Sequence, residues 1–241
     1  ERVLSMVDGV LLLVDAVEGP MPQTRFVTQK AFAYGFTPLV VINKIDRDGA
    51  RPGWVLDQTF ELFDRLGATD AQLDFPVVYA SALQGYAGLG PEVRSGDCLP
   101  MLDAVVKHVP APDVQLDGPL QLQCSSLDYN SYVGVLGIGR INRGVAKANA
   151  RITLATMAAL EGRQARTRLG FDGLERIQVE EAGAGDIVVF SGIEDLQISD
   201  TICPRDEPDA LPALQVDEPT ISMTFQVNKS PFSGQDGKYL T

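Results

Sequence analysis

The sequence predicts a mixed α/β domain followed by an all-β barrel, on three observations. Within residues 1–109, short apolar runs alternate with amphipathic helical patterns, as in a doubly wound sheet of parallel strands. A proline-rich break at 110–117 ends that alternation and is interpreted as a linker. Beyond it, apolar and polar residues alternate one by one among frequent glycines, which is typical of a small β-barrel.

The α/β part contains three apolar runs of strand length, at 10–14, 39–42 and 77–79. Because these runs are continuous rather than alternating, we expect parallel strands that are covered on both faces. Three segments with helical periodicity are predicted to cover them, at 23–34, 54–66 and 101–108.

The β-rich part is predicted to form a barrel over 118–206, with tight corners at the four glycines of segment 134–144. A second stretch rich in proline and acidic residues, 207–218, is interpreted as another linker. Residues 219–241 are expected to begin a third domain that is cut short, with a strand at 221–227.

Composition and charge exclude several classes of protein. A hydrophobic content of 45% is that of an ordinary globular protein, and no apolar run reaches the roughly 18 residues of a membrane span. The net charge of −12 argues against non-specific binding of nucleic acid. Because the N-terminal residues do not read as a secretion signal, we expect a cytoplasmic protein with no membrane partner.

Metal and disulfide sites are not expected. The three cysteines, Cys98, Cys124 and Cys203, are far apart, whereas both kinds of site need pairs at short spacing. The single histidine, His108, has no acidic or cysteine residues grouped around it. We therefore predict that this chain holds no metal ligand.

The main functional signal is Asn43-Lys44-Ile45-Asp46, which directly follows the second predicted strand. Ligands of open α/β sheets bind at the carboxyl ends of strands, so this position suits a binding site. Guanine presents N1–H and an amino group side by side, and we expect the Asp46 carboxylate to accept from both. Asn43 is expected to donate to the other edge of the base and to tie neighbouring loops, while the apolar stem of Lys44 lies against the ring.

A second base-reading group is Ser81-Ala82-Leu83, which follows the third predicted strand. A small residue here lets a backbone N–H approach guanine O6, which adenine lacks. Taken alone, the tripeptide is more typical of an ordinary turn after a strand. Its place beside the strand that ends at Asn43 favours the functional interpretation.

The two motifs resemble the fourth and fifth G motifs of P-loop GTPases. Longer strings are similar to translational GTPases of the elongation-factor class, namely VLLLVDAVEGPMPQTRFV (10–27) and VVINKIDR (40–47). Two further strings are similar to the BipA/TypA branch of that class, LDYNSYVGVLGIGRINRG (127–144) and VDEPTISMTFQVNKSPFSG (216–234). The resemblance covers essentially the entire chain.

The resemblance implies a partial P-loop GTPase sheet followed by an all-β barrel of the translation-factor type. It implies GTP and GDP as ligands, with Mg²⁺ in a full-length parent protein that hydrolyses GTP. The implied partner is the ribosome, in translation, ribosome assembly or stress adaptation. The nucleotide-binding residues that it implies in this chain are Asn43, Lys44, Asp46, Ser81, Ala82 and Leu83.

Other motifs of that family are missing from these 241 residues. They contain no Gly-x-x-x-x-Gly-Lys-Ser/Thr to cradle phosphates, and no Asp-x-x-Gly motif followed by a catalytic histidine. Because phosphoryl transfer depends on positioning the phosphates, this chain alone is predicted to carry no catalytic residue and no GTPase activity. In the family the strand at 10–14 pairs with the phosphate-loop strand, so we expect an unpaired apolar edge that favours self-association.

Two other functions are weighed against a guanine-nucleotide site. Eight basic and three acidic side chains lie between Arg140 and Arg176, and they would let the barrel bind ribosomal RNA without nucleotide chemistry. Eight spaced cations need not share one side, so a solvated charged face explains the stretch equally well. An ATP-using enzyme is disfavoured, because adenine would leave the Asp46 carboxylate unpaired.

Overall fold

The computed structural model describes residues 2–147, 151–155, 160–164, 166–172, 175–193, 195–214 and 222–224. They form two main sheets, one within the α/β part and one within the β-rich part. The predicted third domain at 219–241 lies outside the described residues apart from 222–224, which have no regular secondary structure.

The first sheet has four strands in the order β1-β2-β3-β4. β1, β2 and β3 pair in parallel, and β4 pairs antiparallel to β3. The three predicted strands are present, but the fourth was not predicted because it is only three residues long. The bounds are β1 (Leu11–Asp15), β2 (Leu39–Asn43), β3 (Val77–Ser81) and β4 (Tyr86–Gly88).

A 3₁₀ helix at Arg2–Met6 precedes the sheet, and four α-helices follow its strands. The helices are α1 (Pro22–Ala33), α2 (Pro52–Arg65), α3 (Asp70–Leu73) and α4 (Leu99–His108). α1 and α2 begin at prolines, whose missing N–H is not needed in the first turn, so both begin slightly earlier than predicted. The short α3 was not predicted.

Two apolar cores lie on opposite faces of this sheet. On one face, β1 to β3 pack against α1 and α2, with Phe63 fully buried between Phe32 and Phe75. On the other face, α4 packs against β2, β3 and β4 through a smaller cluster around Ala104 and Val78. The mixed α/β class predicted from the sequence is confirmed.

The prediction that β1 is covered on both faces is wrong. Leu12 and Val14 are buried, but Leu11 and Leu13, which point to the other face, are 36% and 61% exposed. The helix on that face, α4, packs mainly against β2, β3 and β4, and its apolar cluster includes no residue of β1. Within the described residues β1 is also an edge strand, so its outer backbone groups have no ladder partner.

The second sheet is antiparallel and has eight strands in the order β11-β10-β13-β6-β5-β14-β8-β9, and a two-stranded sheet pairs β12 with β7. The predicted β-rich character is confirmed, whereas closure of this sheet into a barrel stays a prediction. The strands are β5 (Gln121–Asn130), β6 (Gly134–Arg143), β7 (Val145–Lys147), β8 (Arg151–Ala155), β9 (Leu160–Gln164), β10 (Arg166–Asp172), β11 (Glu175–Gln178), β12 (Glu181–Gly183), β13 (Ile187–Ser191) and β14 (Thr201–Pro204).

The glycines of β6 serve close packing rather than corners. Gly137 and Gly139 lie within the strand, opposite Leu127 and Cys124. A Cβ atom on Gly137 would lie 2.3 Å from the Phe190 ring, and one on Gly139 would lie 2.0 Å from the carbonyl oxygen of Gln123. The corner prediction holds only for the glycines at the two ends of the strand, which have positive φ.

The segment after β14, predicted to be a linker, lies against the second sheet as far as it is described. The Gln123 side chain donates to the carbonyl of Pro212 over 2.8 Å, and the Leu211 N–H donates to the Thr201 hydroxyl over 2.9 Å. Arg143 forms an ion pair with Asp209 at 2.7 Å. Residues 205–214 therefore follow the sheet as an ordered strap without regular secondary structure.

An ion pair joins the two parts of the chain. Arg140 of β6 contacts Asp8, just before β1, at 2.9 Å, and the Arg140 side chain is 13% exposed. The 3₁₀ helix lies beside β5, where the hydroxyls of Ser5 and Ser125 are 3.5 Å apart. These contacts hold the second sheet against the residues that precede β1.

We expect the exposed edge to cause self-association of the purified chain, and Leu13→Lys to reduce it. A lysine on an edge strand opposes pairing with a second copy, and the exposure of Leu13 means that folding should not suffer. Light scattering behind size-exclusion chromatography measures the change. Leu102→Lys, at a 51% exposed position on α4, is the matched control. Equal association of both variants would contradict a role of β1.

Candidate functional site

The two predicted base-reading loops lie side by side at the carboxyl edge of the first sheet. β2 and β3 are parallel neighbours, and Asn43 is in register with Ala80. The Ile45 N–H donates to the carbonyl of Ala80 over 3.3 Å, which joins the loop after β2 to the end of β3. The sheet thus brings residues 43–46 and 81–83 to one place.

Asn43 is the residue that holds these loops together. Its Oδ1 accepts the Lys44 N–H at 2.8 Å and the Ala82 N–H at 3.0 Å. The first bond accompanies a positive φ of 66° at Lys44, a conformation that a lysine seldom adopts. Asn43 Oδ1 therefore fixes the backbone conformation of the first loop and the distance between the two loops.

Asp46 carries a buried acceptor with an unmet hydrogen bond. Among the described residues, its Oδ1 is inaccessible to solvent and has no hydrogen-bond partner. The neighbouring Ile45 is 3% exposed and packs into the core, which anchors the loop beneath the carboxylate. A buried carboxylate oxygen is costly without a donor, so this oxygen is suited to a ligand that brings one.

Lys44 makes an ion pair that the sequence did not predict. Its Nζ lies 2.6 Å from Oδ2 of Asp15, the last residue of β1. Asp15 Oδ1 accepts the N–H groups of Val17 at 2.8 Å and Glu18 at 3.4 Å. Asp15 does not cap the following helix, because α1 begins only at Pro22.

The charge state of Asp15 follows from these contacts. Burial raises the pKa of its carboxyl group, but the hydrogen bonds from Lys44, Val17 and Glu18 lower it by more. The net result is a pKa below the ordinary value of 3.8. Asp15 is therefore ionised at neutral pH, beside the loop after β2.

The second loop is a compact turn. Ser81 is buried, its hydroxyl accepts the Gln84 N–H at 3.2 Å, and its carbonyl accepts the Gly85 N–H at 2.9 Å. The Leu83 side chain is 87% exposed and takes no part in the core. In this turn the small Ala82 presents its N–H toward the first loop, and Ser81 serves to close the turn.

The basic stretch between Arg140 and Arg176 contains two arginines that are already paired. Arg140 binds Asp8 and Arg143 binds Asp209, and the two arginine side chains are 13% and 22% exposed. Lys147 is exposed. The side chains of Arg151, Arg163, Arg166, Arg168 and Arg176 lie outside the described residues.

Other features of the described residues lie apart from these loops. A cavity of about 610 Å³ is lined by Ile138 and Val188 of the second sheet and by Ala182 of the two-stranded sheet, among others, and by none of the predicted site residues. No group of three or more His, Cys, Asp or Glu residues in the described part of the chain is arranged to hold a metal ion. Nor does any helix there have the length and apolar character that crossing a membrane requires.

Comparison with known proteins adds independent findings. Residues 1–111 match the family model of the elongation factor Tu GTP binding domain. All of the chain aligns with proteins named large ribosomal subunit assembly factor BipA, at 61% identity for Escherichia coli, 59% for Haemophilus influenzae and 54% for Buchnera aphidicola. The chain covers 40%, 39% and 40% of those proteins, respectively.

A solved structure with the same fold is translation elongation factor SelB from Methanococcus maripaludis, in complex with the GTP analogue GppNHp. It superposes with a TM-score of 0.61 over 86% of this chain and 43% of that protein. At 18% sequence identity the likeness concerns the fold alone.

We expect Asn43→Ala to loosen both loops. It would remove the acceptor of two backbone N–H groups, at a cost of about 1–3 kcal/mol in the free energy of unfolding. Hydrogen exchange of the Lys44 and Ala82 amides, followed by NMR, measures the local effect, and urea titration the global one. Asn142→Ala, at an exposed position of β6, is the control. Unchanged protection of both amides would refute the bridging role.

The lowered pKa of Asp15 predicts a pH dependence of stability. Because the folded state favours the ionised carboxylate, its contribution is present above pH 3.8 and is lost as the pH falls through the lower pKa of the folded state. Asp15→Asn should therefore reduce the free energy of unfolding near neutral pH and have much less effect at a pH below the lowered pKa of the folded state. Urea titrations at both pH values test this, with the exposed Glu18→Gln as control. An equal deficit at both pH values would contradict it.

Proposed function

Because this chain belongs to the BipA family of elongation-factor-type GTP-binding proteins, we propose that it supplies the base-reading part of a guanine-nucleotide site in a longer, ribosome-associated GTPase. The chain spans about 40% of the length of its curated relatives. Those relatives are named for assembly of the large ribosomal subunit, which supports the same role for the longer protein. The activity that we assign to that protein is hydrolysis of GTP to GDP and phosphate.

The observation that carries the proposal is the buried, partnerless Oδ1 of Asp46. Guanine offers two adjacent donors, N1–H and the 2-amino group, to a single carboxylate. Adenine offers an acceptor at N1 and no 2-amino group, so it would leave the carboxylate unsatisfied. An unpaired buried charge is expensive, and a site of this kind can reject the wrong base by about 10⁴-fold.

The neighbouring residues complete the proposed site. The Ala82 N–H, already held by Asn43 Oδ1, is directed to share its hydrogen with guanine O6 in a three-centre bond. The amide nitrogen of Asn43 is left to donate to the opposite edge of the base. The aliphatic stem of Lys44 covers one face of the ring, and Ser81 and Leu83 contribute the turn that presents Ala82.

The phosphates and Mg²⁺ are assigned to residues of the longer protein that precede or follow this segment. These 241 residues contain no phosphate-binding loop motif, and base contacts alone must then offset the entropy of association. We therefore propose that the chain by itself binds GTP weakly and does not hydrolyse it, and that its own residues select the base.

For the second sheet we propose closure into a barrel that contacts the ribosome. The alternative function, a module that binds ribosomal RNA without nucleotide chemistry, would rest on the stretch between Arg140 and Arg176. Arg140 and Arg143 form ion pairs within the chain, which leaves them less available to bind RNA. Salt-sensitive ribosome binding that does not depend on the nucleotide would favour the RNA-binding module. Ribosome binding only in the presence of GTP would favour the proposed GTPase.

The base-reading role of Asp46 is tested by Asp46→Asn in the longer protein. The amide presents a donor where the carboxylate accepted from the 2-amino group, so GTP affinity should fall by about 100-fold. Xanthosine triphosphate, which has a carbonyl in place of that amino group, should bind more tightly than GTP. Competition for a fluorescent nucleotide measures both affinities.

The matched control is Asp48→Asn, an exposed carboxylate two residues further along the same loop. It removes the same charge and should leave the preference for GTP unchanged. If Asp46→Asn also retained that preference, the carboxylate would not read the base and the proposed site would be wrong.

A further inference from the structure

Asp15 and Lys44 meet across the edge of the first sheet, although they are 29 residues apart in the chain. Asp15 ends β1 and is in register with Asn43, the residue before Lys44. Their side chains join at 2.6 Å, and Asp15 is 14% exposed whereas Lys44 is 42% exposed. The acidic partner is therefore fixed in the protein, and the lysine reaches over to it.

Asp15 is held rigidly on its own side. Its Oδ1 is occupied by the N–H groups of Val17 and Glu18, and its carbonyl accepts the Gly19 N–H at 2.9 Å. The next residue, Ala16, donates to the carbonyl of Asn43 at 2.8 Å, which ties this turn to β2. Oδ2 is thus presented at a fixed position beside the loop that begins at Asn43.

Lys44 is consequently fixed at both ends. Its backbone is set in the left-handed region by the bond to Asn43, and its ammonium is set by Asp15. Between those points the four-carbon stem has little freedom, although a lysine side chain has about 2 kcal/mol of rotamer entropy to lose. That entropy is lost on folding and does not have to be lost again when a ligand binds.

We infer that Asp15 is a positioning residue of the base site, which holds the Lys44 ammonium so that the stem already lies where the base stacks. The inference rests on the proposed guanine-nucleotide site and extends it to a strand that the two sequence motifs do not include. Asp15 does not touch the base. It acts through Lys44, as a preorganising partner that raises affinity without adding a contact to the ligand.

A purely structural role for Asp15 is the competing explanation, since its Oδ1 also closes the turn to Val17. Asp15→Asn separates the two roles. Asparagine keeps an acceptor for the Val17 N–H, as in ordinary Asx turns, but removes the charge that holds the ammonium. Protection of the Val17 amide from exchange would show that the turn is intact in the variant.

The test is a double-mutant cycle on GDP affinity in the full-length protein, measured by isothermal titration calorimetry. The variants are Asp15→Asn, Lys44→Met and the two combined. We expect Asp15→Asn to weaken GDP binding by about fivefold, and to have no further effect once Lys44 is replaced. Glu18→Gln, which removes an exposed carboxylate from the same turn, should bind like the wild type.

Three other results would overturn the inference. An Asp15→Asn protein that binds GDP as tightly as the wild type would overturn the inference and leave the proposed function standing. The same would follow if Asp15→Asn weakened binding equally with and without Lys44, since Asp15 would then act through the fold. A wild-type protein that fails to bind GDP would overturn the proposed function itself, and this inference with it.

Discussion

The site depends on one side-chain oxygen placed between two backbone N–H groups. Asn43 Oδ1 accepts from Lys44 at the start of its own loop and from Ala82 at the start of the neighbouring one. Parallel strands bring two loops to the same edge but do not fix the distance between them. The amide of Asn43 fixes that distance, because its oxygen accepts from both loops.

The two carboxylates near the Asn43 bridge, Asp15 and Asp46, have different contacts. Lys44 neutralises Asp15, which is ionised and saturated with donors. Asp46 lies on the same loop and has a buried oxygen with no such partner. The two carboxylates thus differ in their surroundings: Asp15 is ion-paired and hydrogen-bonded, whereas Asp46 has a buried oxygen without a partner among the described residues. The difference arises from the contacts of each group, since the residue type is the same.

The second sheet is attached to the residues that precede β1 by polar contacts, and within the described part of the chain no apolar cluster is shared between the two sheets. The ion pair of Arg140 with Asp8 is largely shielded from solvent, which makes it less sensitive to salt than a surface pair. The strap at 205–214 contacts the same sheet through the side chains of Gln123 and Arg143. Basic residues that appeared available for RNA in the sequence are in part structural.

The sequence by itself determined the class of the first domain, its three main strands and the loops after two of them. Apolar runs that end at Asn43 and Ser81 are local signals, and local signals can be recognised without knowing the fold. Only the tertiary structure decided that Asp15 pairs with Lys44, and that one face of β1 is exposed. Both depend on which strands are neighbours and on how far α4 extends, because contacts between distant residues leave no periodicity in the chain.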